Sequence, residues 1–192
     1  RHLGLLTAED MGWREEQIQG LADLAEEHID LDAILDLANS AHSAPPAKAF
    51  TKPEKPKVRI AYAFDAAFCF LYPENLYMLE ELGAELVRFS PLDDPRPPTD
   101  IQALYLPGGY PELHTQALSE NRSMLANIKL LADSDMPIWA ECGGFMYLMK
   151  EIIDQLGEPW PMVGVFDAAC KMTGQIAHLG YRTATLQLPC PL

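Results

Sequence analysis

A cysteine that follows a short apolar run and precedes two glycines is the part of this sequence best suited to chemistry. The stretch from Pro137 to Met146 reads Pro-Ile-Trp-Ala-Glu-Cys-Gly-Gly-Phe-Met. Its apolar run is typical of a buried parallel strand, and a helical spacing of apolar residues follows the glycines. A strand that turns abruptly into a helix lifts a side chain out of the packed layer. The pattern therefore predicts that Cys142 is displayed as a nucleophile at the top of a sheet.

The glycines after Cys142 suit the stabilisation of an oxyanion. Gly143 and Gly144 permit a tight turn and the close approach of a substrate. The N–H of Gly143 is expected to face a developing negative charge, and the positive end of the helix favours a thiolate by about 0.3–1 kcal/mol. A lone cysteine is more often a small buried apolar residue, but the Glu-Cys-Gly-Gly context favours the reactive interpretation.

A second pair of glycines also follows an apolar strand. The stretch from Leu104 to Glu112 reads Leu-Tyr-Leu-Pro-Gly-Gly-Tyr-Pro-Glu. Because the carboxyl ends of parallel strands meet at one edge of a sheet, Gly108 or Gly109 is expected to lie beside Cys142. The loop then supplies the second oxyanion donor.

The elements that must position these loops follow a βαβ order, which predicts an α/β fold with an open, mostly parallel sheet and helices on both faces. Strands are predicted at 58–63, 85–89, 103–106, 137–142 and 181–188. Helices are predicted at 72–82, 121–132 and 144–153. In the first of these helices, Leu76, Leu79 and Leu82 are expected to face the sheet.

The chain is expected to contain two domains joined by a linker. Residues 1–44 show helical spacing, with Thr7 as a cap of the first helix and Asp30 or Asp32 as the cap of the second. Residues 45–57 are rich in proline and are expected to be extended. Residues 58–192 form the α/β domain.

Composition and cysteine spacing exclude several classes of partner. The 28 acidic and 14 basic residues give a formal charge of −14, which opposes binding to nucleic acid or to an anionic membrane surface. The longest apolar run is too short to span a bilayer, and no signal-peptide pattern is present. The 4 cysteines are widely separated and show no zinc-ligand spacing. We therefore expect free thiols in a reducing cytoplasm, and we expect no metal site.

Four segments together resemble the cobyrinic acid a,c-diamide synthase family, and the resemblance covers nearly the whole chain. They are Pro-Gly-Gly-Tyr-Pro-Glu at 107–112, Ala-Glu-Cys-Gly-Gly-Phe-Met-Tyr-Leu at 140–148, and the stretches 64–75 and 172–182. The resemblance implies a class I glutamine amidotransferase-like fold for 58–192. It also implies that 1–44 are the C-terminal end of an ATP-dependent amide-synthase domain. By the same resemblance, the P-loop that binds ATP and Mg²⁺ is expected upstream of these residues. No P-loop sequence G-x-x-x-x-G-K-[ST] occurs here, and no cofactor is expected to bind to this chain.

The resemblance implies that Cys142 attacks the side-chain amide of glutamine, with Gly108 or Gly109 and Gly143 forming the oxyanion hole. The released ammonia would pass to the ATP-binding domain and amidate the a- and c-acetate groups of a corrinoid. The family's catalytic histidine follows the Leu-Gly-Tyr-Arg segment and is expected beyond Leu192. The chain is thus expected to be truncated and inactive alone, with His114 and His178 outside the chemistry.

A polar and aromatic set is also predicted to line the corrinoid or the channel between domains. Its members follow the first strand or the first glycine pair, at the edge where open α/β sheets place their ligands. They are Asp65, Phe68, Tyr72, Asn75 and Tyr110. The alternative is that Phe68 and Tyr72 belong to the core and that Asp65 caps the next turn.

Three questions stay open at this point. Glu141 is expected to point away from Cys142, and either an inward structural hydrogen bond or a catalytic contact fits its position. The same architecture could act on another acceptor, namely cobyric acid, hydrogenobyrinic acid or a nickel tetrapyrrole. A protein of another class, a non-catalytic docking module that presents a tetrapyrrole to a partner domain, also fits the sequence.

Overall fold

A computed structural model of the chain describes residues 15–41, 53–173, 183 and 185. The chain divides into two compact units, Arg1–Ala49 and Phe50–Leu192. The division falls within the proline-rich segment 45–57. The predicted cap at Thr7 and most of the predicted strand 181–188 lie outside the described residues.

The first unit contains two helices, α1 (Glu15–His28) and α2 (Leu31–Ser40). Helix α2 begins after Asp30, whose carboxylate accepts a hydrogen bond of 2.9 Å from the backbone N–H of Ala33. Asp30, rather than Asp32, is therefore the cap, a contact that typically stabilises a helix by about 1 kcal/mol.

The second unit contains a four-stranded parallel sheet in the order β2-β1-β3-β4 and a three-stranded sheet in the order β6-β5-β7. Its strands are β1 (Val58–Ala63), β2 (Ala84–Phe89), β3 (Ala103–Leu106), β4 (Ile138–Ala140), β5 (Met149–Ile153), β6 (Pro159–Pro161) and β7 (Phe166–Lys171). Its helices are α3 (Pro73–Glu81), α4 (Thr115–Glu120), α5 (Arg122–Asp133) and α6 (Gly143–Leu148), with a 3-10 turn at Pro111–Leu113. The predicted α/β class and parallel sheet are confirmed.

One hydrophobic core joins the four-stranded sheet to its helices. Ala61 of β1 and Leu106 of β3 are fully buried, and they share the core with Met124 and Ile128 of α5 and with Tyr147 of α6. Full burial of a side chain of this size contributes about 1.5–3 kcal/mol. The core therefore fixes the carboxyl ends of β1 and β3 from within.

The predicted helix 144–153 is wrong beyond Leu148. Met149–Ile153 forms strand β5, which pairs antiparallel with β6 and parallel with β7. Apolar residues at Met149, Ile152 and Ile153 fit both periods over so short a stretch, and the β-branched pair favours the strand. Ile152 is fully buried in that conformation.

The expected inward face of α3 is only partly correct. Leu76 and Leu79 are half-buried, whereas Leu82 follows the last helical residue and is 73% exposed. The helix ends there because Gly83 takes the left-handed conformation, with φ 108°. Within 15–41 and 53–173, no helix has the length and apolar character that a membrane span requires.

Candidate active site

Cys142 lies in a sharp turn between a strand and a helix. Strand β4 ends at Ala140 and helix α6 begins at Gly143, with Cys142 at its N-terminal cap position. Its backbone has φ 47° and ψ −108°, and its side chain is exposed. Positive φ is costly for a residue with a β-carbon, and such strain collects at functional positions. The strand-turn-helix geometry predicted for this thiol is present.

The structure brings both glycine pairs to this thiol. A β-carbon placed on Gly108 would lie 3.5 Å from the β-carbon of Cys142, and one placed on Gly143 would lie 3.0 Å from the backbone N of Gly109. The Gly144 N–H donates a hydrogen bond of 3.0 Å to the carbonyl of Pro107, which ties the two loops together. The predicted meeting of the loops at one sheet edge is observed.

Two backbone donors are available next to the thiol. The N–H groups of Gly109 and Gly143 make no hydrogen bond to any other backbone group within the described residues. Donors placed near a reacting carbonyl stabilise the charge that develops in the transition state, and each one contributes about 3–4 kcal/mol. The loop arrangement can therefore stabilise a tetrahedral oxyanion formed at Cys142.

Hydrogen bonds from two aromatic side chains hold the carboxylate of Glu141. Its Oε2 accepts a hydrogen bond of 3.2 Å from the Tyr105 hydroxyl, and its Oε1 accepts one of 2.6 Å from the indole Nε1 of Trp139. Burial, and then the charge of Glu141, raise the pKa of Tyr105 to about 12, so this hydroxyl stays a donor at neutral pH. Two roles were open for Glu141, a structural hydrogen bond and a catalytic contact, and the observed contacts are structural hydrogen bonds.

Asp65 caps a turn rather than facing open space. Its Oδ1 accepts hydrogen bonds from the N–H groups of Ala67 (2.8 Å) and Phe68 (3.1 Å). Its Oδ2 accepts from Ser90 Oγ (2.9 Å) and from the Leu92 N–H (3.0 Å), beyond the end of β2. The capping alternative for Asp65 is therefore correct.

The other members of the predicted lining set are dispersed. Phe68 is fully buried, with its ring centroid 5.2 Å from that of Tyr147, so it belongs to the core. Tyr72 is 70% exposed, which contradicts its core alternative, and Tyr110 is buried against the ring of Phe70. Asn75 lines a different feature, an apolar groove beside Glu141. The set does not form one surface.

The described histidines show no hydrogen bond to the candidate nucleophile. His28 is in α1, and His114 lies between the 3-10 turn and α4. Within the described residues no hydrogen bond joins a histidine to Cys142. His178 lies outside the described residues.

Sequence reasoning missed one electrostatic contact of this region. The pKa of the Cys170 thiol is raised by burial and also by the nearby Glu112 and Cys142. Cys170 also packs against the core. Cys170 lies in β7 and Glu112 in the 3-10 turn, so no periodic pattern in the sequence could have predicted that they are close.

The parallel sheet and the cysteine turn define an α/β domain of the class I glutamine amidotransferase type. The profile of the CobB/CobQ-like glutamine amidotransferase domain matches residues 59–186, and this chain belongs to that family.

Curated relatives share this similarity over most of the chain. A cobyrinate a,c-diamide synthase of Caldanaerobacter subterraneus is 42% identical over 188 residues, which cover 98% of this chain and 41% of that protein. The protein of the same name from Syntrophotalea carbinolica is 43% identical over 182 residues, covering 94% of this chain and 40% of that protein. The chain therefore spans well under half the length of these relatives.

Alkylation should distinguish the thiols of this chain. Cys142 is exposed, whereas Cys69 and Cys170 are half-buried, and burial raises the pKa of Cys170. Because the thiolate is the reacting form, we expect limiting iodoacetamide at neutral pH to label Cys142 at least about tenfold faster than Cys170. Peptide mapping by mass spectrometry measures the order of labelling. Equal rates at Cys142 and Cys170 would contradict the assignment of Cys142 as the exposed, reactive thiol.

Proposed function

We propose that this chain is the glutamine-hydrolysing part of an ATP-dependent cobyrinate a,c-diamide synthase. The observation that supports this best is the strained, exposed Cys142 beside the N–H groups of Gly109 and Gly143, which donate to no other backbone group among the described residues. The names of the relatives supply the acceptor, cobyrinate.

In the proposed reaction, the Cys142 thiolate attacks the side-chain amide carbon of glutamine. The carbonyl oxygen becomes an oxyanion, which accepts hydrogen bonds from the N–H groups of Gly109 and Gly143, or of Gly108. The C–N bond then breaks, and an acid gives a proton to the departing ammonia. Water hydrolyses the resulting thioester to glutamate and restores the thiol.

The ammonia is proposed to serve a second domain. There the a- and c-acetate groups of the corrinoid, activated with ATP, become amides, and residues 1–44 would be the end of that domain. ATP and Mg²⁺ are proposed to bind in that upstream domain. The part of this chain that the structure describes holds no group of three His, Cys, Asp or Glu side chains that could bind a metal ion.

Glutamate release from glutamine tests the proposal. We expect a polypeptide that continues beyond Leu192 through the next histidine to hydrolyse glutamine, and the 192-residue chain alone to stay near the background rate. The reason is that positioned acid–base catalysis contributes about 10²–10⁴-fold, and ammonia is a poor leaving group without a proton.

Three outcomes would contradict parts of the proposal. Hydrolysis by the 192-residue chain that disappears in Cys142→Ala would show that a base within this chain completes the site. A longer polypeptide that binds a corrinoid but releases no glutamate would favour the non-catalytic docking module. Amidation of another tetrapyrrole in preference to cobyrinate would change the acceptor and leave the glutamine chemistry in place.

A further inference from the structure

We propose that Glu141 is a positioning residue that holds the Cys142 turn against the Gly108–Gly109 loop. The expected effect of Glu141 on catalysis rests on the proposed function of Cys142. The expected effect of Glu141 on the backbone rests on its hydrogen bonds alone. Glu141 does not contact the reacting atoms in this arrangement, because both of its carboxylate oxygens are directed at Tyr105 and Trp139.

The carboxylate joins two adjacent strands where they end. Tyr105 of β3 and Trp139 of β4 are register partners, and both donate to Glu141, at 3.2 Å and 2.6 Å. Tyr105 lies three residues before Gly108, and Glu141 directly precedes Cys142. One side chain therefore connects the ends of the two strands that lead into the loops of the candidate site.

The backbone between the two strands shows why a side-chain tie is useful there. The regular pairing of β4 ends at Ala140, and two further hydrogen bonds follow, from the Glu141 N–H to the Leu106 carbonyl and from the Gly144 N–H to the Pro107 carbonyl, each 3.0 Å. Between them Cys142 has φ 47°. A strained residue keeps its conformation only where its neighbours over-determine it, and Glu141 adds a restraint on the strand side.

Charge strengthens this restraint. Hydrogen bonds in which the acceptor is ionised are shorter and stronger than neutral ones. The hydroxyl of Tyr105 belongs to a residue that is only 7% exposed, so it needs an internal acceptor, and Glu141 is that acceptor. An alanine at 141 would remove the carboxylate that accepts from this hydroxyl, which also interacts with Asn75, and would remove the side-chain contact between the two strand ends.

The test compares Glu141→Ala and Glu141→Gln in the full-length protein that contains this chain. We expect Glu141→Ala to lower the kcat of glutamine hydrolysis at least about tenfold with KM within about twofold, because misplaced oxyanion donors affect the transition state more than the bound substrate. Glu141→Gln should recover part of kcat, since the amide oxygen still accepts one of the two hydrogen bonds. Tyr105→Phe should add little in the Glu141→Ala background, because the two residues act through one contact.

A local measurement accompanies the kinetics. In Glu141→Ala, hydrogen exchange at the backbone N–H groups of residues 141 and 144 should be at least about tenfold faster than in the wild type. Glu85→Ala is the matched control, because Glu85 is also a hydrogen-bonded carboxylate of this sheet, on β2, where it accepts from Arg59 Nε at 3.1 Å. We expect this control to leave kcat and the exchange of both amides unchanged.

The outcomes separate this inference from the proposed function. Wild-type exchange rates in Glu141→Ala would overturn the inference whatever the enzyme does. Faster exchange with an unchanged kcat would also overturn it, since the restraint would then not act on the chemistry. If the wild-type protein releases no glutamate, the proposed function fails, and exchange at residues 141 and 144 still decides whether Glu141 holds the turn.

Discussion

Gly109→Ala is expected to destabilise the fold by about 4 kcal/mol or more, whereas Gly108→Ala, one residue earlier, should cost about 1 kcal/mol. A β-carbon at Gly109 would lie 2.1 Å from the Ala67 carbonyl oxygen and 2.8 Å from the Phe68 α-carbon, both backbone atoms. The Ala67 carbonyl already accepts a hydrogen bond from the Tyr110 N–H, so it cannot withdraw without breaking that bond. At Gly108 the nearest atom is a side-chain carbon of Phe70, at 3.3 Å.

Urea-induced unfolding of the two variants measures this difference. Gly144→Ala should behave like Gly109→Ala, because its β-carbon would lie 2.1 Å from the Leu106 carbonyl oxygen. A failure of Gly109→Ala to yield folded protein, beside a folded Gly108→Ala, is the extreme form of the expected result. Equal midpoints for Gly108→Ala and Gly109→Ala would show that the loop can move away from Ala67 and Phe68, and the close approach would be wrong.

The strands of the parallel sheet are the part of the fold that could be predicted from sequence. The bounds of β1 and β3 match the prediction, because short apolar runs with flanking turn residues are typical of buried parallel strands. Residues 149–153 could not be assigned this way. Their apolar spacing fits both periods, the β-branched pair gives only a weak preference, and the pairing of β5 with β6 and β7 decides for a strand.

The candidate site likewise has features that the sequence predicts and features that it does not. The Cys142 turn was predictable because strand, glycines and helix are adjacent in sequence. The contacts of Asp65 with Ser90 and Leu92 were not, since they depend on a loop about 25 residues away. Strand alternation places Trp139 and Glu141 on one face, but it does not predict the hydrogen bond between their side chains.

Cys142→Ala is expected to abolish glutamine-dependent amidation in the full-length protein and to spare amidation supported by ammonium salts. Without the thiol no thioester forms, and the loss of a nucleophile typically lowers kcat by about 10⁴-fold or more. The acceptor chemistry is proposed to take place in the other domain, so added ammonia bypasses the defect.

Cys142→Ala is also expected to leave the backbone conformation of the turn unchanged. Alanine keeps the β-carbon of Cys142 and therefore the strain of φ 47°, so the turn itself should persist. Cys170→Ala is the matched control, since Cys170 is a half-buried thiol of the same unit, and it should retain glutamine-dependent activity. Product formation is followed by mass spectrometry with glutamine or ammonium chloride as the nitrogen source. Loss of both activities in Cys142→Ala would assign the residue to the fold, and retained glutamine use would place the nucleophile elsewhere.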